Sequence, residues 1–216
     1  MMKVLITGFD PFNNSTINPS AEAIKLLPDF LGNVEVIKKI IPTVFNKSFD
    51  ILKEHIENNK PDIVICVGQA GGRSKVTIER VAINIDDAPI KDNDGNIPVD
   101  KKIVEDGETA YFSTLPIKAI VNKLNIDSIP ADISNSAGTF VCNHIMYQSL
   151  HYAKVKNHSF KTGFIHIPYI PEQTVDMKNV ASMELNIIVD ALEKAILVCT
   201  EYFNKDDIYL VAGKDA

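Results

Sequence analysis

At 216 residues, with 45% hydrophobic and 23% charged side chains, the chain has the length and balance of one globular domain and not of a disordered or fibrous segment. Three cysteines, an odd count without a CxxC pair, argue against a disulfide scaffold or a thiolate zinc site and fit a reducing compartment. A net charge of −6 without a dense Lys/Arg cluster excludes the footprint of a nucleic-acid binder, and the apolar run before Gly8 is too short for a signal peptide or a membrane span, so a cytoplasmic protein is expected.

Apolar runs of strand length alternate with amphipathic stretches of helix length. This is the pattern of an α/β fold: one domain over residues 1–216, with a twisted, mixed but largely parallel sheet and helices on both faces. The first strand is read at residues 3–7, and Asn18-Pro19 opens a helix as N-cap and first helical residue. After a strand at residues 34–40, Phe45, Phe49, Leu52 and Ile56 mark one helical face, closed by Pro61. DIVICV at 62–67 reads as a strand buried on both faces. The extended run 76–85 leads toward Asp94-Gly95, a pair suited to a tight turn, so a β-hairpin excursion is expected there. A helix opening at Pro116, a strand near Ile133, a helix from about Phe140 and a strand at 162–167 follow. In the final helix Leu185, Ile188, Val189, Leu192, Ile196 and Cys199 form the apolar stripe.

A cysteine becomes a nucleophile where a helix N-terminus, a cation or a histidine stabilises its thiolate. Cys66 in the buried strand and Cys199 in the apolar stripe behave as small hydrophobes. Cys142 differs, because the polar run SNSAGT at 134–139 ends a strand just before it and a helix follows. The sulfur is thereby expected in a first helical turn, where unpaired N–H groups favour a thiolate and can hold an oxyanion. Among the five histidines, His55, His151 and His158 are read as solvated, and His144 lies two residues from Cys142, a spacing that does not face it. His166 ends an apolar strand, at the carboxyl edge where open α/β sheets bind ligands. Both arginines of the chain, Arg73 and Arg80, fall around GQAGGRSKVTIER, and Glu79 in that strand-like run needs an arginine or imidazole partner if buried.

These residues resemble the pyrrolidone carboxyl peptidases, or pyroglutamyl peptidase I, a family of cysteine peptidases. The resemblance runs through GFDPFNNSTINPS, GQAGGRSKVTIERVAIN, SNSAGTFVCN and GFIHIPYIPEQ and covers nearly the whole chain. It implies Cys142 as nucleophile, His166 as general base and acid, and Glu79 as the carboxylate orienting the imidazole. The implied substrates are peptides with an N-terminal pyroglutamate, cleaved without metal or coenzyme. It assigns the lactam pocket to Phe9, Phe12, Phe140 and Val141, with Thr43 and Ile90 lining it and Gln69 or nearby backbone groups hydrogen-bonding the ring, and it implies a homotetramer. Many relatives carry an arginine where this chain has Pro89, and Arg80 or backbone donors are the expected substitute. Two rival readings stay open. One treats the loop Gly68 to Arg73 as a phosphate cradle of a nucleotide- or nucleoside-phosphate-handling protein, although GxGxxG and GxxxxGK[ST] are missing. The other is a non-catalytic interaction module, for which no motif speaks.

Overall fold

A computed structural model describes residues 1–156 and 160–213. Its main sheet has seven strands in the order β2-β3-β1-β4-β9-β5-β8, in which β1 spans Met2–Phe9, β2 Phe30–Leu31, β3 Val34–Ile41, β4 Ile63–Gln69, β5 Val76–Glu79, β8 Ala131–Ser134 and β9 Lys161–Ile167. The four neighbouring strands from β3 to β9 run parallel through three pairings, and β5 meets β9 antiparallel while pairing parallel with β8. The sheet is therefore mixed and largely parallel, as expected, although its reversal lies at the β9–β5 seam and at the short edge strand β2.

The expected hairpin takes another form. Residues 76–85 split at Arg80, whose N–H bonds to the Ser134 carbonyl and whose carbonyl accepts from Ser113 N–H. After that break β6 (Val81–Ile83) leaves the sheet and pairs antiparallel with β7 (Ala110–Phe112). The turn at Asp94-Gly95 does form, with Gly95 at φ 89°, but it sits inside the long connection 84–109 and joins no strands. The two arms of that connection meet across the turn in an antiparallel bridge between Asp86 and Lys101, with Ala88 N–H on the Pro98 carbonyl, and side chains add to this: the Asp92 carboxylate accepts from the N–H groups of Phe45, Asp94 and Asn96.

Helices cover both faces because strand residues alternate between two apolar clusters. Val4, Ile6, Ile63, Ile65, Ile78 and Ile165 point into an aliphatic cluster under α1 (Pro19–Leu26), α3 (Ile117–Ile126) and α6 (Leu185–Glu201). Leu5, Phe9, Val64, Cys66 and Phe164 point the other way, beneath α2 (Lys47–Asn59) and α4 (Val141–Val155). Local signals fix the helix ends. The Asn18 side chain accepts from Ser20 N–H with Pro19 in the first turn, and α2 stops at Lys60 in the left-handed conformation before Pro61. The strip of sheet under α2 and α4 is the one that carries polar groups at its carboxyl end, at Gly68, His166 and Glu79.

Candidate active site

Register alone brings His166, Thr77 and Glu79 onto one face of the sheet. His166 on β9 pairs with Gly68 of β4 on one side and with Thr77 of β5 on the other, so all three project toward the same face, as does Glu79 two residues beyond Thr77. On one flank the missing side chain of Gly68 leaves room that Cys142 fills: a Cβ there would lie 3.0 Å from Sγ and 2.7 Å from the ring of Phe164. On the other flank His166 Nδ1 lies 2.7 Å from Glu79 Oε1. The imidazole thus stands between the sulfur and the carboxylate. Glu79 is fully buried and His166 is 5% exposed, so both depend on each other for partners. Arg73 completes the set, donating through one guanidinium nitrogen to Glu79 Oε1 at 2.8 Å and to the Thr77 hydroxyl. Both bonds fall on Oε1, and the buried Oε2 has no hydrogen-bond partner among the described residues.

Electrostatics follow from this placement. Burial alone would raise Glu79, but hydrogen bonding to His166, its charge, and the Ser134 and Arg73 donors bring the carboxyl below its usual value. It stays ionised at neutral pH and accepts the Nδ1–H of the ring, leaving Nε2 to face the cavity side. Cys142 occupies the first turn of α4, as expected. Its ionisation departs from expectation. Burial, then the Glu79 charge and then Cys66, push the thiol up to about 12, and Arg73 and the backbone N–H of Cys142 itself oppose this without overcoming it. The protonated thiol is thus the favoured resting form, because desolvation and the Glu79 charge outweigh the opposing Arg73 charge and the backbone N–H. Cys66 is likewise held up to about 12 by burial, within its strand.

Cys142 and His166 share the wall of a cavity of about 160 Å³, well below the roughly 300–1,000 Å³ of drug-sized sites. Phe9, Phe12, Phe140, Thr43 and Gln69 line it, all of them anticipated. Thr43 is fixed by its N–H bond to the Asp10 carboxylate at 2.7 Å, and Asn93 ties the connection 84–109 to the same carboxylate. Phe45 packs edge-on against both Phe140 and His144 behind the wall.

Homology points the same way as the geometry. The family model described as pyroglutamyl peptidase matches residues 2–202. The chain belongs to the pyroglutamyl peptidase family. It is 56% identical over 212 residues to the pyrrolidone-carboxylate peptidase of Alkaliphilus oremlandii, covering 98% of this chain and 99% of that one. Among solved structures, pyroglutamyl peptidase I from Bacillus amyloliquefaciens superposes with a TM-score of 0.93 at 47% identity, covering 97% and 99% of the two chains. The pyrrolidone carboxyl peptidase from Thermococcus litoralis gives 0.94 at 42%, covering 98% and 100%.

Within this pyroglutamyl peptidase, some expected pocket residues lie elsewhere. Val141 is fully buried in the cluster beneath α4 and lines nothing, because the first helical turn directs it inward while Phe140, the N-cap, faces the cavity. Ile90 is half-buried in the connection 84–109, outside the cavity wall. Arg80 does not substitute for the arginine at the Pro89 position. Its guanidinium binds the Asn135 side chain and the Ala212 carbonyl, both at 2.8 Å, pinning the C-terminal segment. Conversely, Asn18 and residues 137–139 line the cavity unannounced. Asn18 had been accounted for as a helix cap, and the SNSAGT run as a lead into α4. The glycines of the supposed phosphate cradle have packing reasons: Gly68 faces Sγ and Phe164, and the Tyr169 hydroxyl lies where Gly71 would carry a Cβ. Of the other histidines, His55 is partly exposed and His151 is half-buried against Tyr111 at 3.0 Å, while His158 lies outside the described residues.

Proposed function

We propose that Cys142, His166 and Glu79 remove the N-terminal pyroglutamyl residue from peptides through a thioester. The observation that carries this reading is the imidazole seated between a sulfur in the Gly68 gap and a buried, ionised carboxylate, at the wall of a small aromatic cavity. Because the resting sulfur is neutral, proton and nucleophile move together. His166 Nε2 takes the thiol proton as Sγ adds to the pyroglutamyl carbonyl, and unpaired N–H groups at the start of α4 stabilise the oxyanion. Collapse of the tetrahedral adduct breaks the C–N bond while the imidazolium returns its proton to the leaving amine. Water, deprotonated by His166, then adds to the thioester and releases pyroglutamate and the thiol. Glu79 holds the ring with Nδ1–H toward itself and balances its transient positive charge, and Arg73 holds Glu79.

Selectivity rests on what the cavity lacks. No aspartate or glutamate among the described residues lines it, so an ordinary peptide terminus would bury an unpaired ammonium, whereas the uncharged lactam needs only amide partners. Gln69 and Thr43 supply these polar atoms. No helix among the described residues is long and apolar enough to cross a membrane, and all three cysteines are free thiols. Both facts fit the proposed cytoplasmic site of action, and a homotetramer is the proposed assembly. A fluorogenic pyroglutamyl amide is the direct test, with the corresponding prolyl amide as control. Wild type should cleave the first and not the second, and Cys142→Ser and Cys142→Ala should both be inactive. Turnover surviving in both variants would end the proposal.

A further inference from the structure

The mechanism accounts for the acyl side of the substrate and leaves open where the departing peptide lies. Two grooves adjoin the site. One, of about 670 Å³, is lined by Arg73, Thr77 and Ser134, the groups that surround Glu79. It lies behind the carboxylate, on the Nδ1 side of His166, whereas the leaving nitrogen must sit at Nε2. The other, of about 390 Å³, shares two walls with the pyroglutamyl cavity, Phe12 and Gln69, and continues along the chain that follows His166, through Tyr169, Glu172 and Gln173. A peptide whose first ring fills the small cavity therefore passes over Phe12 and Gln69 into this second groove.

The composition of that groove is lopsided. Among the described residues its walls carry asparagines, glutamines, hydroxyls and a single charged side chain, the exposed carboxylate of Glu172, with no lysine or arginine. Glu172 is also set in place. Gln173 beside it donates to Gln69 Oε1 at 2.7 Å and accepts from Ile170 N–H at 3.1 Å, which locks α5 (Pro171–Thr174) to the rim of the cavity. The hydroxyl end of Tyr169 rests on Gly71 and fixes the opposite wall. We propose that this groove is the subsite for the first residue after the scissile bond, and that Glu172 makes it select a cationic side chain there. The proposal rests on the peptidase reading above.

Competing hydrolysis of pyroglutamyl-arginine amide and pyroglutamyl-glutamate amide tests it. Wild type cleaves both and favours the arginine substrate in kcat/KM. In Glu172→Gln the arginine-to-glutamate ratio falls about fivefold, the scale of one exposed ion pair, and in Glu172→Lys it falls further and turns in favour of glutamate. Raising the salt to half molar shrinks the wild-type preference, since the pair is open to solvent. Cleavage of both substrates with a ratio that neither substitution moves overturns the subsite while leaving the peptidase intact. Cleavage of neither by wild type overturns the peptidase reading, and the subsite falls with it.

Discussion

Gly68→Ala should disable the site from beneath with the addition of a single methyl group. The new Cβ would begin 2.7 Å from Phe164 Cζ and 3.0 Å from Cys142 Sγ, against ordinary carbon contacts of about 3.5–4.0 Å. Phe164 is fully buried, with its ring 4.7 Å from His166 and 6.3 Å from Phe9, so its retreat displaces the imidazole. Sulfur and ring must both move by several tenths of an ångström to about 1 Å, and such displacements at reacting atoms lower rates by as much as about 100-fold. Overpacking a core of this kind costs about 1–3 kcal/mol. At roughly 2–4 °C per kcal/mol for a chain of this size, melting falls by about 2–12 °C. The assay is kcat/KM on a pyroglutamyl amide beside a melting curve at pH 7. An alanine variant matching wild type in both would refute the placement of the thiol over Gly68.

Three further expectations follow from charge and burial. Glu79→Gln keeps the size of the side chain but removes the anion that orients His166, so kcat should drop by about 10²–10⁴-fold with little change in KM; a loss under tenfold would dismiss the orienting role. The buried thiol of Cys199 is raised by desolvation, so the folded chain holds a proton that the unfolded chain releases above pH 9. Stability tied to this group is complete below that pH and declines above it, by up to about 1.4 kcal/mol per pH unit. Cys199→Ala should therefore melt with a shallower decline between pH 9 and 11, and parallel curves would contradict it. His144 accepts Asn46 N–H at Nε2 (3.1 Å) and donates Nδ1–H to Asp86 at 2.8 Å, so both ring nitrogens are engaged. Asp86→Ala should lower stability by about 1–3 kcal/mol by orphaning that donor, as read in urea unfolding; an unchanged midpoint would count against the pairing.

The parts of the fold that could be read from the chain are those governed by local pattern. The apolar runs of β4 and β9 and the stripe of α6 follow the two periodicities directly, and Asn18-Pro19 caps α1 as its residue types require. The break at Arg80 was not legible, since it is made by partners far along the chain, Ser113 and Ser134. Of the connection 84–109 only the turn at Asp94-Gly95 was legible, because its arms pair through one isolated bridge, Asp86 to Lys101, and single carboxylates such as Asp92, not through a repeating pattern. At the site, Cys142, His166 and Glu79 could be chosen by type and position before any coordinates. The charge state of the sulfur could not, because it depends on Glu79 and on burial, both products of the closed sheet.

The position of β9 also governs when the enzyme can come alive. Among the described strands it is the last to leave the ribosome, yet it lies between β4 and β5, which pair with it and not with each other. The β1–β3–β4 and β5–β8 halves must wait for residues 161–167 to emerge before they can be zipped together. Glu79 is made early and stays without its imidazole, 87 positions downstream, until that insertion occurs. A nascent or truncated chain therefore carries the proposed nucleophile and the orienting carboxylate without the imidazole proposed as base and acid, and proteolytic competence arrives only with nearly complete synthesis.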